Sequence, residues 1–156
     1  MFTNSAAISS DSTFYLEPAP VSLKKNFLRV AGPEFCSKIL QYRHDNPHRC
    51  EDISVFENYE QAECWVQNNG EAGFAIMPGF ELVNLFSRKA GLGSQALKFA
   101  QENYNCINLN CHVGKLEKFY TSHGFQVTRQ EENWFTTPEK KLPPVVYMSW
   151  AGYSQP

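Results

Sequence analysis

The chain has 156 residues, of which 42% are hydrophobic and 14% aromatic. This length and composition predict one compact α/β or α+β domain with a real core, and they exclude disorder as the main state. A formal charge of −2 lacks the basic excess that nucleic-acid binding normally needs. No apolar run approaches the roughly 20 residues that cross a bilayer. We therefore expect neither nucleic acid nor membrane as a partner.

The cysteines and the first residues predict a cytoplasmic protein. Five cysteines without paired spacing favour reduced thiols over a disulfide framework. Residues 1–20 are rich in Ser, Thr, Ala and Pro and lack the basic and apolar regions of a signal peptide, so they predict an N-terminal arm. His44, His48 and Cys50 lie close together, but they lack the repeated Cys-x-x-Cys spacing of a zinc site. No metal is predicted.

The small net charge conceals two segments of opposite sign. Residues 50–87 contain seven acidic side chains and no Lys or Arg, whereas residues 88–118 contain five basic side chains against two acidic ones. Such sorting is typical of solvated faces, and it is equally typical of two functional surfaces that meet near residue 87. Both interpretations stay open at this point.

Hydrophobic spacing predicts a strand and two helices in the first half of the chain. A strand is predicted over residues 21–30, followed by a helix that opens with Gly32-Pro33-Glu34, where proline and an acid suit a first turn. Its apolar face carries Phe35, Ile39 and Tyr42. A second helix is predicted over residues 53–67 from Val55, Tyr59, Ala62 and Val66, with a stop at Asn68-Asn69-Gly70.

The second half alternates strands and helices. Residues 73–77 and 80–87 predict a hairpin around Pro78-Gly79. The remaining predicted elements are a helix over 91–103, a strand over 106–111, a helix over 115–123 that stops at Gly124, and strands over 126–129 and 145–150.

The turn between the hairpin and the next helix carries the sharpest chemical signal. It reads Ser-Arg-Lys-Ala-Gly-Leu-Gly-Ser over residues 87–94. Gly91 and Gly93 let backbone N–H groups approach a ligand, while the helix N-terminus and two cations favour a pyrophosphate. The turn matches neither the triphosphate loop nor the dinucleotide fingerprint, so ATP and NAD are poor candidates. A tight turn without any ligand remains the alternative.

Two motifs resemble one known family. Arg88-Lys89-Ala90-Gly91-Leu92-Gly93 is similar to the Arg/Gln-x-x-Gly-x-Gly/Ala loop of the GCN5-related N-acetyltransferases (GNAT family). Residues 116–125 resemble that family's hydrophobic-x-x-Phe-Tyr-x-x-x-Gly-Phe segment, and residues 84–87 (NLFS) resemble short, phage-type members. The resemblance covers about residues 73–150. It implies a single-domain α/β fold over residues 21–156, with a mixed central sheet flanked by helices.

The resemblance implies acetyl-CoA as cosubstrate. Main-chain groups of Leu85, Phe86 and Ser87 would pair with the pantetheine amides, as an added strand pairs with a sheet edge. The pyrophosphate would be held by Arg88, Lys89, Ala90, Gly91, Leu92, Gly93 and Ser94. Val113 stands where the family commonly has a cofactor-binding asparagine, and Asn110 is the candidate that replaces it.

The implied reaction is direct attack of a primary amine on the acetyl-CoA thioester. Tyr120 falls on the family's tyrosine, whose phenol contacts the cofactor and protonates the leaving thiolate; a core aromatic is the alternative reading. Glu81 is the first candidate for the base that takes the amine proton, ahead of Glu57, Glu60 and His44. Ordered water is a further alternative for that role.

The acidic segment would flank the acceptor, so the resemblance together with the charge pattern predicts a cationic amine: a small molecule, a protein lysine or an N-terminus. From a different class, a non-enzymatic module that binds CoA or a partner on a GNAT scaffold remains the alternative. A homodimer stays open for the assembly.

Overall fold

The computed structural model describes residues 26–50, 53–56 and 58–152. The predicted arm over residues 1–20 and the first five residues of the predicted first strand lie outside these ranges. The chain divides into two compact units, residues 1–103 and residues 104–156, and each is described by itself.

The first unit is a four-stranded antiparallel sheet with two helices. Its elements are β1 (Phe27–Val30), α1 (Gly32–Asp45), a short 3-10 turn (Pro47–Arg49), β2 (Glu63–Gln67), β3 (Ala72–Met77), β4 (Glu81–Ser87) and α2 (Leu92–Asn103). The strands pair in chain order, β1-β2-β3-β4. The first helix, the hairpin and the helix after the glycine turn are therefore confirmed, with Pro33 and Glu34 in the first turn of α1.

The predicted helix over residues 53–67 is wrong. The described residues between 53 and 62 are irregular, and β2 follows directly. Cys64, Trp65 and Val66 are consecutive and all buried, which a strand covered on both faces permits and an amphipathic helix does not. Asn68-Asn69-Gly70 is the turn from β2 to β3, closed by a bond from the Gly70 N–H to the Gln67 carbonyl (2.8 Å).

The two helices of this unit cover opposite faces of the four strands. On one face, α1 packs through Phe35, Ile39 and Tyr42 against strand residues that include Cys64, Val66, Ala75 and Phe86. On the other face, Phe99 of α2 stacks with Phe27 at 4.7 Å and lies edge-on to Trp65 at 5.1 Å between ring centroids. Burial of these aromatic rings stabilises this unit.

A β-bulge interrupts β4 at its centre. Val83 pairs with Ala75 and Phe86 pairs with Gly73, so two residues of β4 stand opposite one residue of β3. Ala75 and Gly73 lie on one face because they are two residues apart, and the bulge therefore turns both Val83 and Phe86 toward α1. A Cβ at Gly73 would lie 2.6 Å from the Trp65 carbonyl oxygen and 2.8 Å from the Phe86 ring, so glycine makes room for both.

The second unit holds β5 (Ile107–His112), α3 (Lys115–Thr121), β6 (Gln126–Glu131) and β7 (Val145–Trp150). The central strand of this unit, β7, pairs antiparallel with both β5 and β6. Ile107, Leu109 and Cys111 are buried and alternate with exposed Asn108 and Asn110, as the sequence predicts. Gly124 has φ +92° just after α3, which confirms its place as the helix stop.

No helix in the described part of the chain is long and apolar enough to cross a membrane.

Candidate functional site

The glycine turn leads from β4 straight into α2. Gly91 has φ +86°, and a Cβ at this position would have no atom within 4 Å. The Leu92 N–H donates to the Lys89 carbonyl at 3.3 Å, and the Gln95 N–H donates to the Gly91 carbonyl at 3.2 Å. Gly91 is therefore required for its backbone conformation, and the amide groups of the first helical turn face the same end of the helix as the turn itself.

Arg88, at the start of this turn, is held by α1. Its Nη1 atom lies 3.0 Å from Asp45 Oδ2, and its guanidinium lies 5.6 Å from the centroid of the Tyr42 ring. Hydrogen bonds from Gln41 and Arg88 lower the pKa of Asp45 below its usual value, so this carboxylate is ionised at neutral pH. The guanidinium is thus positioned at the turn by an ion pair and an aromatic ring.

Lys89 also has a carboxylate partner. Its Nζ atom lies 3.0 Å from Glu71 Oε1, and the Arg88 N–H donates to the Glu71 carbonyl at 2.8 Å. Any anion that binds at the turn must share the two cations with Asp45 and Glu71 or displace these carboxylates. The sequence predicts neither partner, because neither spacing nor composition signals contacts across 43 residues, as for Arg88 and Asp45, or across 18, as for Lys89 and Glu71.

The acidic segment does not form one surface. Glu71 lies at the glycine-turn end of the sheet, where Ala72 pairs with Ser87. Glu63 and Glu81 lie at the other end, where they pair with Ile76 and Met77. The expectation of a single acidic acceptor surface is therefore corrected for Glu71, which belongs with the cations. Glu51, Asp52 and Glu57 lie outside the described residues.

The candidates for the base occupy different ends of the first unit. Glu81 is the half-buried first residue of β4, six residues before Ser87 and thus about 20 Å along an extended strand. Glu60 is exposed. His44 lies 3.4 Å from Asp45, the residue that contacts Arg88, and is therefore at the glycine-turn end.

The strand residues just before the turn differ in burial. Phe86 is buried and faces α1, whereas Leu85 and Ser87 are half-buried. The Ser87 hydroxyl donates to the Lys89 carbonyl at 3.2 Å, which ties the end of β4 to the turn.

Tyr120 and Asn110 belong to the second unit. Tyr120 is 7% exposed, and its ring lies 5.1 Å from that of Phe119 and 5.5 Å from that of Phe125. Burial, with a smaller contribution from Cys111, raises the pKa of the Tyr120 hydroxyl, so the phenol keeps its proton throughout the neutral range. Asn110 is exposed on β5, opposite Tyr147 of β7.

A further polar cluster, which the sequence did not predict, lies at the bulge of β4. Asn84 hydrogen-bonds both Tyr59 and the Ser54 carbonyl. The available signal was a single amide side chain inside the otherwise apolar run 82–86. In the described ranges, no group of three His, Cys, Asp or Glu side chains is placed to hold a metal ion.

Solved structures of acetyltransferases share this architecture. A Bacillus subtilis acetyltransferase in complex with CoA aligns with TM-score 0.52 and 13% identity, over 81% of this chain and 97% of that chain. A GNAT-family acetyltransferase from Streptococcus pneumoniae aligns with TM-score 0.54 and 15% identity, over 80% and 98%. A spermidine N-acetyltransferase from Vibrio cholerae aligns with TM-score 0.51 and 13% identity, over 80% and 91%.

The chain has the GNAT fold. The predicted class, an α/β fold with a mixed sheet flanked by helices, is thereby confirmed. No protein-family model matches the sequence, and no curated protein matches it. At 13–15% identity, the likeness to these structures is one of fold.

Proposed function

We propose that the protein is a GNAT-family enzyme that transfers an acetyl group from acetyl-CoA to a primary amine. The observation that carries this proposal is the glycine turn: Gly91 at φ +86°, directly between β4 and α2, with Arg88 and Lys89 beside it. On a GNAT fold, this turn is our candidate for the pyrophosphate loop that the sequence motif predicts.

The cosubstrate would lie along the end of β4 and over the turn. Main-chain groups of Leu85, Phe86 and Ser87 would pair with the pantetheine amides. The pyrophosphate would take the amides of residues 88–94 and draw Arg88 and Lys89 away from Asp45 and Glu71. Asn110 is the proposed further contact. The CoA present in the Bacillus subtilis structure supports this choice of donor.

The proposed reaction has no covalent enzyme intermediate. The neutral amine attacks the thioester carbonyl, the C–S bond breaks, and the CoA thiolate takes a proton from the Tyr120 hydroxyl. The attacking nitrogen gives its extra proton to Glu81 or to water, and solvent returns a proton to Tyr120 before the next turnover. Glu81 is favoured over His44 because it begins β4 at the end away from the glycine turn, where the acyl end of a cosubstrate extended along β4 would lie.

We propose a cationic acceptor. Glu63 and Glu81 lie at the end of the four-stranded sheet away from the turn, and they would attract a second positive charge on the amine substrate. Spermidine is the substrate in the name of one structural neighbour, and a polyamine fits this charge.

The proposed subtype and cellular location rest on the sequence. We propose a short, phage-type GNAT protein, because residues 84–87 run directly into the glycine turn. We also propose a cytoplasmic location, supported by five cysteines in the thiol form. A homodimer is the proposed alternative to a monomer.

Acetyl transfer is tested by incubating the protein with acetyl-CoA and one amine at a time: spermidine, a lysine peptide, and a primary amine that carries no further positive charge. The acetylated product is detected by mass spectrometry, because the five protein thiols would react with a thiol reagent. We expect product with all three amines, faster with the amines that carry further positive charge, and a rate advantage that shrinks as salt screens the carboxylates.

Two other outcomes of this assay would each contradict one part of the proposal. Turnover of only the amine without a further positive charge would contradict the cationic acceptor. Binding of acetyl-CoA without any product would contradict the transferase and leave the non-enzymatic CoA-binding module.

A further inference from the structure

Asn84 adopts a backbone conformation that few residues accept. Its φ is +54°, in the left-handed region that asparagine tolerates better than other non-glycine residues. It lies within the bulge, between Val83 and Phe86, which pair with Ala75 and Gly73. The bulge in β4 thus depends on a residue type that can hold this φ.

The Asn84 side chain ties the bulge to the segment before β2. Its Oδ1 atom accepts a hydrogen bond from the Tyr59 hydroxyl at 2.5 Å, and its Nδ2 atom donates to the Ser54 carbonyl at 2.6 Å. The Tyr59 hydroxyl also accepts from the Phe56 N–H at 3.2 Å. We call Ser54, Tyr59 and Asn84 the bulge clamp.

The clamp is held rigidly from the α1 side. Tyr59 is 3% exposed, and its ring lies edge-on to Phe35 at 5.3 Å and to Phe56 at 5.8 Å between centroids. This packing fixes the position of the Tyr59 hydroxyl. Its hydrogen bond to Asn84 therefore forms with little further ordering of the tyrosine side chain.

We propose that Asn84 and Tyr59 are positioning residues that fix the bulge, and with it the orientation of the β4 main chain that receives the pantetheine. This inference rests on the proposed function. A displacement of the bulge by one residue would reverse the faces of everything beyond it in β4, namely Leu85, Phe86 and Ser87. The clamp holds the bulge at residue 84, so that Phe86 packs under α1 and these main-chain groups keep one orientation.

The clamp also joins the two sides of the proposed reaction. Ser54 and Tyr59 bracket the segment that precedes Glu60 and Glu63, on the proposed acceptor side, whereas β4 is the proposed donor strand. The hydrogen bonds of Asn84 to Tyr59 and to Ser54 therefore link the position of this acceptor-side segment to that of β4.

The test is a double-mutant cycle with Tyr59→Phe and Asn84→Gly. Tyr59→Phe removes only the hydroxyl, and Asn84→Gly keeps the positive φ while removing the amide. Acetyl-CoA affinity is measured by calorimetry, kcat and KM with the best amine by product analysis, and stability by urea unfolding. Phe80→Gly is the matched control, because Phe80 has φ +63° in the exposed hairpin turn and takes no part in the clamp.

We expect each single variant to weaken acetyl-CoA binding and raise its KM about fivefold, as for loss of one or two hydrogen bonds. The double variant should be no weaker than the worse single one, because both remove the same contact. At saturating substrates, kcat should change less than twofold, and Phe80→Gly should bind acetyl-CoA like the wild type.

Two results would overturn the positioning role while the proposed function stands: wild-type affinity in both variants, or additive losses in the double variant. Coupling in urea unfolding with unchanged acetyl-CoA affinity would make the clamp purely structural and would also overturn it. A wild-type protein that does not bind acetyl-CoA would overturn the proposed function, and this inference with it.

Discussion

At Tyr120 the chain buries a phenol among aromatic rings, with Phe119 and Phe125 within 5.5 Å of its ring centroid. Burial raises the pKa of its hydroxyl, so the phenol holds its proton at neutral pH but is a weaker acid than an exposed tyrosine, and the packing leaves the ring little freedom. The same packing is also what a core aromatic shows. Only a change that removes the hydroxyl and keeps the ring separates the two roles.

Tyr120→Phe makes that change. We expect kcat to fall by about 100-fold, at the lower end of general acid catalysis because a thiolate is a good leaving group, with acetyl-CoA affinity and stability close to those of the wild type. Tyr147→Phe is the control, since it removes a half-buried hydroxyl from the same unit, one bonded to Glu131 at 3.3 Å. Steady-state kinetics with product detection measures both, and unchanged turnover in Tyr120→Phe would assign Tyr120 to the core.

At the scale of single elements, the glycine turn gives the cleanest comparison in the chain. Gly91 and Gly79 have nearly equal φ values, +86° and +85°, and a Cβ at either would meet nothing within 4 Å. Alanine at either position therefore costs only the strain of a left-handed backbone, about 1–2 kcal/mol. The two differ in place: Gly91 precedes α2, and Gly79 lies in the β3–β4 turn.

Gly91→Ala and Gly79→Ala should thus lose similar stability in urea unfolding. Only Gly91→Ala should also weaken acetyl-CoA binding, by about tenfold or more, because relief of the strain moves the amides that would hold the pyrophosphate. Calorimetric titration distinguishes the variants. Equal affinities for acetyl-CoA would contradict a pyrophosphate site at this turn.

Helices and strands whose apolar residues follow one clear period were predictable from the sequence, and β2 was not. Helix α1 and strand β7 appear where the spacing predicts them, because each has one buried face or one apolar run of strand length. At residues 53–67, apolar residues fall at helical spacing by coincidence, while the strand pairings with β1 and β3 decide the structure. Such pairings are long-range, and a local pattern does not contain them.

The candidate site was predictable in part for the same reason. Motif residues such as Gly91 lie close together in sequence, and their required φ is a local property. The carboxylates opposite Arg88 and Lys89, and the bulge clamp on Asn84, bring together residues 18 to 43 positions apart. These contacts exist only once the sheet has formed.

At the scale of the whole molecule, burial of ionisable groups predicts an alkaline limit to stability. Burial raises the pKa of the Cys64 thiol to about 11 and raises the pKa of the Tyr59 and Tyr120 hydroxyls. In the unfolded chain these groups release their protons near pH 9 for cysteine and near pH 10 for tyrosine. The folded protein then holds more protons than the unfolded one, so stability falls as pH rises.

We expect the free energy of unfolding to decline from about pH 9 through Cys64, and more steeply above about pH 10, by up to ~1.4 kcal/mol per pH unit for each tyrosine. Urea unfolding between pH 8 and pH 11 measures the slope. Tyr120→Phe should reduce it above pH 10 and leave the Cys64 contribution unchanged. A slope that Tyr120→Phe does not alter would mean that this hydroxyl is not buried in the folded protein.

The central claim, that this fold binds acetyl-CoA, is tested most directly by thermal unfolding of the wild-type protein with increasing acetyl-CoA. A ligand that binds only the folded state at 100 times its dissociation constant stabilises by about 2.7 kcal/mol, which for a chain of this size raises Tm by about 5–10 °C. We predict a rise that continues logarithmically with concentration. An unchanged Tm at millimolar acetyl-CoA would contradict the account.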